Sequence, residues 1–158
     1  MIDTGTLTAF LVDFTKNGYV TGDESAWKKE ADGSTSISYR KGKWHAHDNF
    51  FGGEPFGGRE VIFYEEKPVW IMTYYGWVYQ QVEDVNKIYS FLRSALRQIP
   101  EDAPFRGPRE YKQDELQYTN AWSGTVENFS GEETITNGDT EAMKTKYMGG
   151  FVDRRKGV

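Results

Sequence analysis

The chain contains no cysteine, which excludes disulfides, thiolate metal sites and thiol nucleophiles. It has no long apolar run, and its first ten residues carry an acid where a signal peptide has basic residues. We therefore expect a soluble cytoplasmic protein without a membrane partner. Lysine and arginine form no basic stripe and the net charge is −5, which argues against nucleic acid as a partner.

Standard catalytic motifs are also missing. The sequence has no G-x-S-x-G, no H-E-x-x-H and no dinucleotide-binding fingerprint. The glycine-rich stretch 52–58 lacks the Gly-Lys-Ser/Thr ending of a phosphate-binding loop. The sequence therefore indicates no particular cofactor and assigns no catalytic residue.

Aromatic residues and glycine are plentiful. The 158 residues include 17 glycines but only 5 prolines, and 16% are aromatic against a modest 37% hydrophobic in total. Aromatic side chains must therefore supply much of the core. This composition favours strands joined by tight turns, and the length is typical of one domain, which we place at 1–158.

An internal repeat organises the chain. When the sequence is shifted by 73 positions, residues 56–78 lie on residues 129–151 without a gap. Both copies contain F-x-G-x-E followed by Y-x-G, and the matched pairs are Phe56 with Phe129, Gly58 with Gly131, Glu60 with Glu133, Tyr74 with Tyr147, and Gly76 with Gly149. An ungapped match of this kind indicates a duplicated supersecondary unit.

Each copy is predicted to be a β-hairpin, and Asn137-Gly138 is a strong turn signal in the second. Helical periodicity predicts helices at about 6–17, capped by Thr4 or Thr6, and 83–99. The polar segment 23–36 is expected to be a mobile loop, with Trp27 as a hydrophobic plug on the core rather than a ligand lid.

The predicted fold is an α+β domain, with a twisted antiparallel sheet or partly open barrel built from the two hairpin units and two helices packed on it. The second strand of the first hairpin is apolar on both faces. In the equivalent strand of the second hairpin, Lys144 and Lys146 make one face polar. We expect the 83–99 helix to cover the additional apolar face, which carries Ile71 and Thr73.

A wider set of motifs occurs in a fixed order. It comprises YRKGKW, the run DNFFGGEPFGGREVIFYEEKPVWIMTYYGWV, then FLRSAL, PFRGP, the second F-x-G-x-E, and Y-x-G-G. In this order the chain resembles a bacterial domain family of unknown function, whose members occur alone or behind repressor-type helix-turn-helix domains. The resemblance implies a sensor or effector module in gene regulation.

The chain departs from that family in two respects. The residues before Phe10 are too few for a helix-turn-helix domain, so we expect none here. Thr73 stands where the family usually has asparagine. If that asparagine binds a ligand elsewhere in the family, this member binds differently or not at all.

The repeated glutamates are the main candidates for chemistry. Each shares strand parity with an apolar residue, so Glu60 and Glu133 are predicted to point inward. A facing pair of carboxylates can hold a metal, share a proton, or act as acid and base. The alternative is that each glutamate carboxylate accepts hydrogen bonds from backbone N–H groups of its own glycine turn. This alternative is favoured because both copies of the repeat contain the glutamate.

Two further groups of residues are candidates for binding. His45 and His47 lie on one face of a predicted strand near Asp48, which makes them candidate metal ligands, although no third ligand is evident at a recognised spacing. Arg106, in PFRGP, is a candidate anion contact, although an arginine in such a connector more often binds backbone carbonyls.

Together these observations predict a small-molecule-binding or regulatory sensor module without catalysis. Its pocket would lie between the repeats, near Glu60, Trp70, Tyr74 and Tyr147, and would suit a planar or cationic ligand. A first alternative is an acid-based hydrolase or metal-site enzyme that uses Glu60 and Glu133 with both in reach of solvent. A second alternative is a protein-interaction domain that binds a regulatory protein or a second copy of itself through an exposed apolar patch and has no pocket.

Overall fold

The computed structural model describes residues 2–152, which form two α-helices and one antiparallel sheet of nine strands. The helices are α1 (Thr4–Asn17) and α2 (Val85–Leu96). The strands are β1 (Lys28–Lys29), β2 (Thr35–Lys41), β3 (Trp44–Phe51), β4 (Phe56–Tyr64), β5 (Lys67–Val78), β6 (Glu110–Gln113), β7 (Leu116–Thr125), β8 (Asn128–Asn137) and β9 (Thr140–Phe151). The predicted α+β class is therefore confirmed, and the sheet is not closed.

Both predicted helices are present, with boundaries that differ by a few residues. Asp3, rather than Thr4 or Thr6, caps α1, because its carboxylate accepts the Thr6 N–H at 2.8 Å. Asp84 caps α2 in the same way. Among residues 2–152, no helix is long and apolar enough to cross a membrane.

The segment predicted to be a mobile loop is ordered. It contains a short 3-10 turn at Glu24–Ala26, and β1 pairs with the start of β2. The prediction failed because the segment's structure comes from hydrogen bonds of short polar side chains, such as Ser36 to Glu30 at 2.6 Å, and not from a periodic apolar pattern.

The sheet has the strand order β1-β2-β3-β4-β5-β9-β8-β7-β6. The two repeated hairpins, β4–β5 and β8–β9, therefore lie side by side, and β5 pairs with β9 at their junction. In this register Tyr74 lies opposite Tyr147, its own equivalent in the repeat. The repeats are thus related by a pseudo-two-fold axis that passes between these two residues.

Both helices pack on one face of the sheet, which we call the inner face. The α1 side chains pack with Ile62, Trp70 and Met72, and the α2 side chains pack with Val78 and Met143. The expectation that the second helix covers Ile71 and Thr73 was wrong, since those residues point to the opposite, outer face. Strand parity separated the two faces correctly, but it contained no information about which face the helix would take.

Glycines in the repeat make room for aromatic rings on the inner face. A Cβ atom at Gly58 would lie 2.7 Å from the Tyr74 hydroxyl, and one at Gly131 would overlap the Tyr147 ring. Phe56 and Phe129 lie in the same way over glycines of the adjacent strand, Gly76 and Gly149. Each F-x-G unit therefore interlocks with the Y-x-G unit of its own hairpin, which explains why both motifs recur together.

Candidate ligand-binding site

A cavity of about 530 Å³ lies between the inner face of the first repeat and the two helices. The sheet side is formed by β3, β4 and β5, and the opposite side by the end of α1, the segment after it, and α2. Aromatic side chains supply much of the wall: Phe14, Tyr19, Trp27, Phe50, Phe56, Tyr74, Tyr89 and Phe105. Such an aromatic wall around a few polar groups is typical of small-molecule sites.

Two aromatic contacts and one carboxylate hold the wall in place. The Trp27 ring stacks on Tyr19 at 5.9 Å between centroids and meets the Phe50 ring edge-on at 5.8 Å. Glu54, in the glycine-rich loop, accepts hydrogen bonds from the Val78 N–H at 2.8 Å and from the Tyr89 hydroxyl. Trp27 is therefore a packed residue, as predicted, and also part of the cavity wall.

Two carboxylates form the acidic floor of the cavity. Asp48 on β3 and Glu60 on β4 are directly opposite in the strand register and share the inner face. Asp48 is 8% exposed and accepts a hydrogen bond from the Tyr74 hydroxyl. No protein group among residues 2–152 forms a hydrogen bond or ion pair with Glu60, so a half-buried carboxyl group faces the cavity without a protein partner.

Burial and proximity change the acidity of both groups. Burial, together with the charge of Asp48, raises the pKa of Glu60 from 4.5 to about 8, although Arg106 acts in the opposite direction. Burial raises the pKa of Asp48 to about 6, against the lowering effect of the Tyr74 hydrogen bond and Arg106. At neutral pH the acidic floor therefore carries about one negative charge and one proton.

The equivalent floor in the second repeat is filled by the chain itself. Glu133, which is 1% exposed, forms an ion pair with Arg106 at 2.8 Å and accepts the Tyr118 hydroxyl at 2.6 Å. Asn120, the counterpart of Asp48, binds the Gly107 carbonyl and accepts the Tyr147 hydroxyl at 2.7 Å. The connector that contains Arg106 thus occupies in one repeat the space that is a cavity in the other.

Some of the predicted site residues lie in the cavity of the first repeat, and the others lie in the filled second repeat. Glu60, Tyr74 and Arg106 line the cavity. Glu133 and Tyr147 belong to the filled repeat and do not line it. Trp70 does not line it either, because it is fully buried, stacks on Phe129 at 5.5 Å and donates its indole N–H to the Val126 carbonyl at 2.8 Å.

The structure differs from the expectations for the repeated glutamates. Neither carboxylate accepts a hydrogen bond from a glycine turn, since both F-x-G-x-E units lie within strands. Glu133 does not reach solvent, so the condition set for a catalytic Glu60–Glu133 pair is not met. Arg106 forms an ion pair with the Glu133 carboxylate.

His45 and His47 share the outer face of β3, as strand parity predicted. The His45 Nε2 atom lies 2.8 Å from the Ser38 hydroxyl, and its ring stacks on Phe63 at 5.4 Å. Asp48 is on the inner face and is therefore not a neighbouring ligand. Residues 2–152 contain no group of three or more His, Asp or Glu placed to hold a metal.

The outer face also carries exposed apolar side chains. Phe51, Tyr75 and Met148 are between 50% and 62% exposed. An open depression of about 710 Å³ lies beside Tyr75 and Met148. The second alternative required an exposed patch and no pocket, whereas the described residues have both a patch and a pocket.

Asp48 is the main site residue that sequence analysis did not identify as part of the pocket. Twelve positions separate it from Glu60, whereas thirteen separate Asn120 from Glu133, so an ungapped shift of 73 does not align them. Allowing one gap between the first two strands of each repeat would have matched Asp48 with Asn120. The aromatic wall from α1 and the segment after it had no sequence signal, because its role depends on the tertiary packing of helices on the sheet.

Comparison with known proteins gives one family and no individual relative. The model of a family described as a domain of unknown function, DUF5680, matches residues 48–152. Neither the curated proteins nor the solved structures contain a significant match. The matched region includes the acidic floor, α2 and the connector, whereas the wall residues Phe14, Tyr19 and Trp27 precede it.

Proposed function

The chain belongs to the DUF5680 family of domains of unknown function, and we propose that it is a small-molecule-binding sensor module without catalysis. The observation that carries the proposal is the cavity of about 530 Å³ with the unpartnered carboxyl group of Glu60 on its floor. The Glu60 side chain is half-buried, so water hydrates it only in part and no protein group replaces the lost hydration. Such a group in an aromatic-walled cavity is better explained by a ligand than by stability.

The regulatory part of the proposal has a separate basis. The resemblance noted from the ordered motifs is to proteins that occur alone or behind repressor-type helix-turn-helix domains. A domain in that position serves to detect a signal, and a ligand-sized cavity is the feature that such a role needs. The partners would then be a small molecule and a regulatory protein.

A thermal-shift screen tests the proposal. We would screen the wild type against metal ions, nucleotides, sugars, organic cations, organic anions and neutral aromatic compounds. Binding to the native state raises the melting temperature by mass action. We expect at least one compound class to raise it, and expect Glu60→Gln to lose the increase while retaining the fold.

Glu132→Gln is the matched control. Glu132 is next in sequence to Glu133, the equivalent of Glu60 in the second repeat; it is half-exposed and forms ion pairs with lysines on the outer face. Its variant should respond to the same compound as the wild type does. An increase that persists unchanged in Glu60→Gln would place the binding site outside the cavity, and the absence of any increase across the panel would refute the proposal.

A second candidate function is favoured by the acidic floor itself. Asp48 and Glu60 are adjacent carboxyl groups with pKa values of about 6 and 8, and one of them is protonated at neutral pH. An acid-based hydrolase needs such a proton donor beside a carboxylate. Here the partner of Glu60 would be Asp48 rather than Glu133.

Turnover assays test this enzyme hypothesis. We would assay chromogenic esters and glycosides between pH 5 and pH 9 with the wild type, Glu60→Gln and Asp48→Asn. Catalysis predicts a bell-shaped pH profile in the wild type and its loss in both variants. Equal rates in all three proteins would exclude a catalytic role for the acidic floor.

A further inference from the structure

Resting on the proposed function, we infer that the ligand carries a guanidinium, amidinium or ammonium group, which binds between Glu60 and Asp48 in the first repeat. This group would stand where the structure already places a guanidinium in the second repeat, on Glu133. Its apolar part would lie against the aromatic wall of the cavity.

The internal repeat supplies the chemical precedent. Glu60 and Glu133 occupy equivalent positions in the two hairpins, and both point to the inner face. In the second repeat the carboxylate is buried and is paired with the guanidinium of Arg106 at 2.8 Å. In the first repeat the protein places no cation on Glu60, so a ligand cation can make the equivalent contact there.

The charge balance of the two repeats supports a positive ligand. The floor of the second repeat contains one acid, Glu133, and one base, Arg106, so its charges cancel. The first repeat has an additional acid, because Asp48 stands where the second repeat has Asn120. The described residues supply no cation that pairs with either acid of the first repeat, so both acids are available to a ligand cation.

Arg106 does not remove this need. Its charge lowers the pKa of both Asp48 and Glu60, yet burial outweighs that effect and both pKa values remain raised. Its guanidinium is committed to Glu133 and lies 5.6 Å from the centre of the Tyr74 ring. Arg106 therefore borders the cation site without filling it.

The wall of the cavity suits an organic cation better than a metal ion. Aromatic rings attract cations through their negative faces and also bury apolar groups. The cavity has room for a body of drug-like size, since ligand pockets typically range from about 300 to 1,000 Å³. A planar amidinium or guanidinium also donates two parallel hydrogen bonds to a carboxylate.

Shape-matched compounds of different charge test the inference. We would titrate the full chain with benzamidine, benzamide and benzoate, and with a matching aliphatic set of agmatine, a neutral amide and a carboxylate. Calorimetry at pH 8 should show that at least one cation binds, at least tenfold more tightly than its neutral counterpart. The anion of that set should bind more weakly still.

Three variants locate the contact. Glu60→Gln and Asp48→Asn should each weaken cation binding at least tenfold, and Asp48→Asn reproduces the residue found in the second repeat. Glu132→Gln should bind as the wild type does. Tighter binding of the neutral or anionic compound would overturn the cation inference while leaving the proposed function intact. No binding by any compound in either set, or in the wider screen, would overturn both.

Measuring proton release distinguishes ligand binding at Glu60 from a purely structural role, because only binding would release the proton. Glu60 is protonated at pH 7 because its pKa is raised to about 8, so a cation displaces that proton on binding. The charged groups that line the cavity with Glu60 are Glu24, Asp48, Glu54, Arg93 and Arg106, and the titratable hydroxyl groups are those of Tyr19, Tyr74 and Tyr89. Titrations in buffers of different ionisation enthalpy should show release of up to about one proton per cation, and cation affinity should rise from pH 6 to pH 8. A pH-independent affinity without proton release would contradict the inference.

Discussion

Tyr74 and Tyr147 lie directly opposite each other on β5 and β9, and each is the other's equivalent in the internal repeat. The hydroxyl groups point away from the shared axis to different partners. Tyr74 donates to Asp48, and Tyr147 donates to Asn120 at 2.7 Å. The exchange of Asp48 for Asn120, together with the Arg106–Glu133 ion pair, makes one half of a pseudo-symmetric structure acidic and leaves the other half neutral.

These two tyrosines provide a matched pair of variants. Tyr147→Phe leaves the Asn120 amide oxygen buried without its donor, and we expect a loss of about 1–3 kcal/mol in the free energy of unfolding. Tyr74→Phe should cost less, about 1 kcal/mol or below, because the Asp48 carboxylate borders a cavity where water can replace the hydroxyl. Urea denaturation of both variants measures the difference. Equal losses would show that the two halves are energetically equivalent.

The motif glycines are expected to be sensitive to added volume. A Cβ atom at Gly131 would overlap the Tyr147 ring, and one at Gly58 would lie 2.7 Å from the Tyr74 hydroxyl. We therefore expect Gly58→Ala and Gly131→Ala each to reduce the free energy of unfolding by about 1–3 kcal/mol. Gly53→Ala is the control, because its Cβ would meet no atom within 4 Å, and it should change stability by less than about 0.5 kcal/mol. Similar effects at all three positions would contradict the interlocking of rings and glycines.

The ion pair between Arg106 and Glu133 is expected to be essential as a pair. The arginine side chain is 11% exposed and the glutamate side chain 2%, so removing one partner leaves a buried charge uncompensated. Arg106→Met and Glu133→Gln should each cost about 3–5 kcal/mol. The double variant should lose less than the sum of the two, since it leaves neither charge unpaired. Thermal or urea unfolding of all three variants gives the coupling, and purely additive losses would argue against a direct pair.

Stability should fall as the pH rises through the titration range of Glu60. Its pKa is about 8 in the folded state against 4.5 ordinarily, so between these values the folded protein holds a proton that the unfolded chain has released. The free energy of unfolding therefore decreases with pH in this window, by at most about 1.4 kcal/mol per pH unit for one group. Asp48 adds a decrease in the same direction between pH 3.8 and about 6.

Glu60→Gln isolates this effect. The variant lacks the titrating group, so its stability relative to the wild type should increase steadily from pH 5 to pH 8. Urea unfolding at pH 5, 6.5 and 8 measures the difference, with Glu132→Gln on the outer face as the control that should follow the wild type. A stability difference that stays constant over this range would mean that Glu60 keeps an ordinary pKa in the fold.

The sequence predicted much of the local structure correctly. The period of α1 and α2, the Gly138 turn and the alternation along β5 follow from backbone geometry, which acts over a few residues and leaves a direct pattern. Strand β6 was not predicted, because its four residues are mostly exposed and carry no apolar alternation. The inward orientation of Glu60 was correctly predicted from parity alone.

The sequence by itself determined the repeat, the strand faces and the residue types available for a site. Only the tertiary structure decided how the two copies meet, which face the helices cover, and that Arg106 forms an ion pair with Glu133. The physical reason is the distance along the chain over which each interaction acts. Alternation and helical period are local consequences of backbone geometry, whereas the pairing of β5 with β9 and the path of the connector depend on contacts between residues far apart in the chain. Those distant contacts fill the second repeat and leave the first open, so no local sequence pattern predicts the cavity beside Glu60.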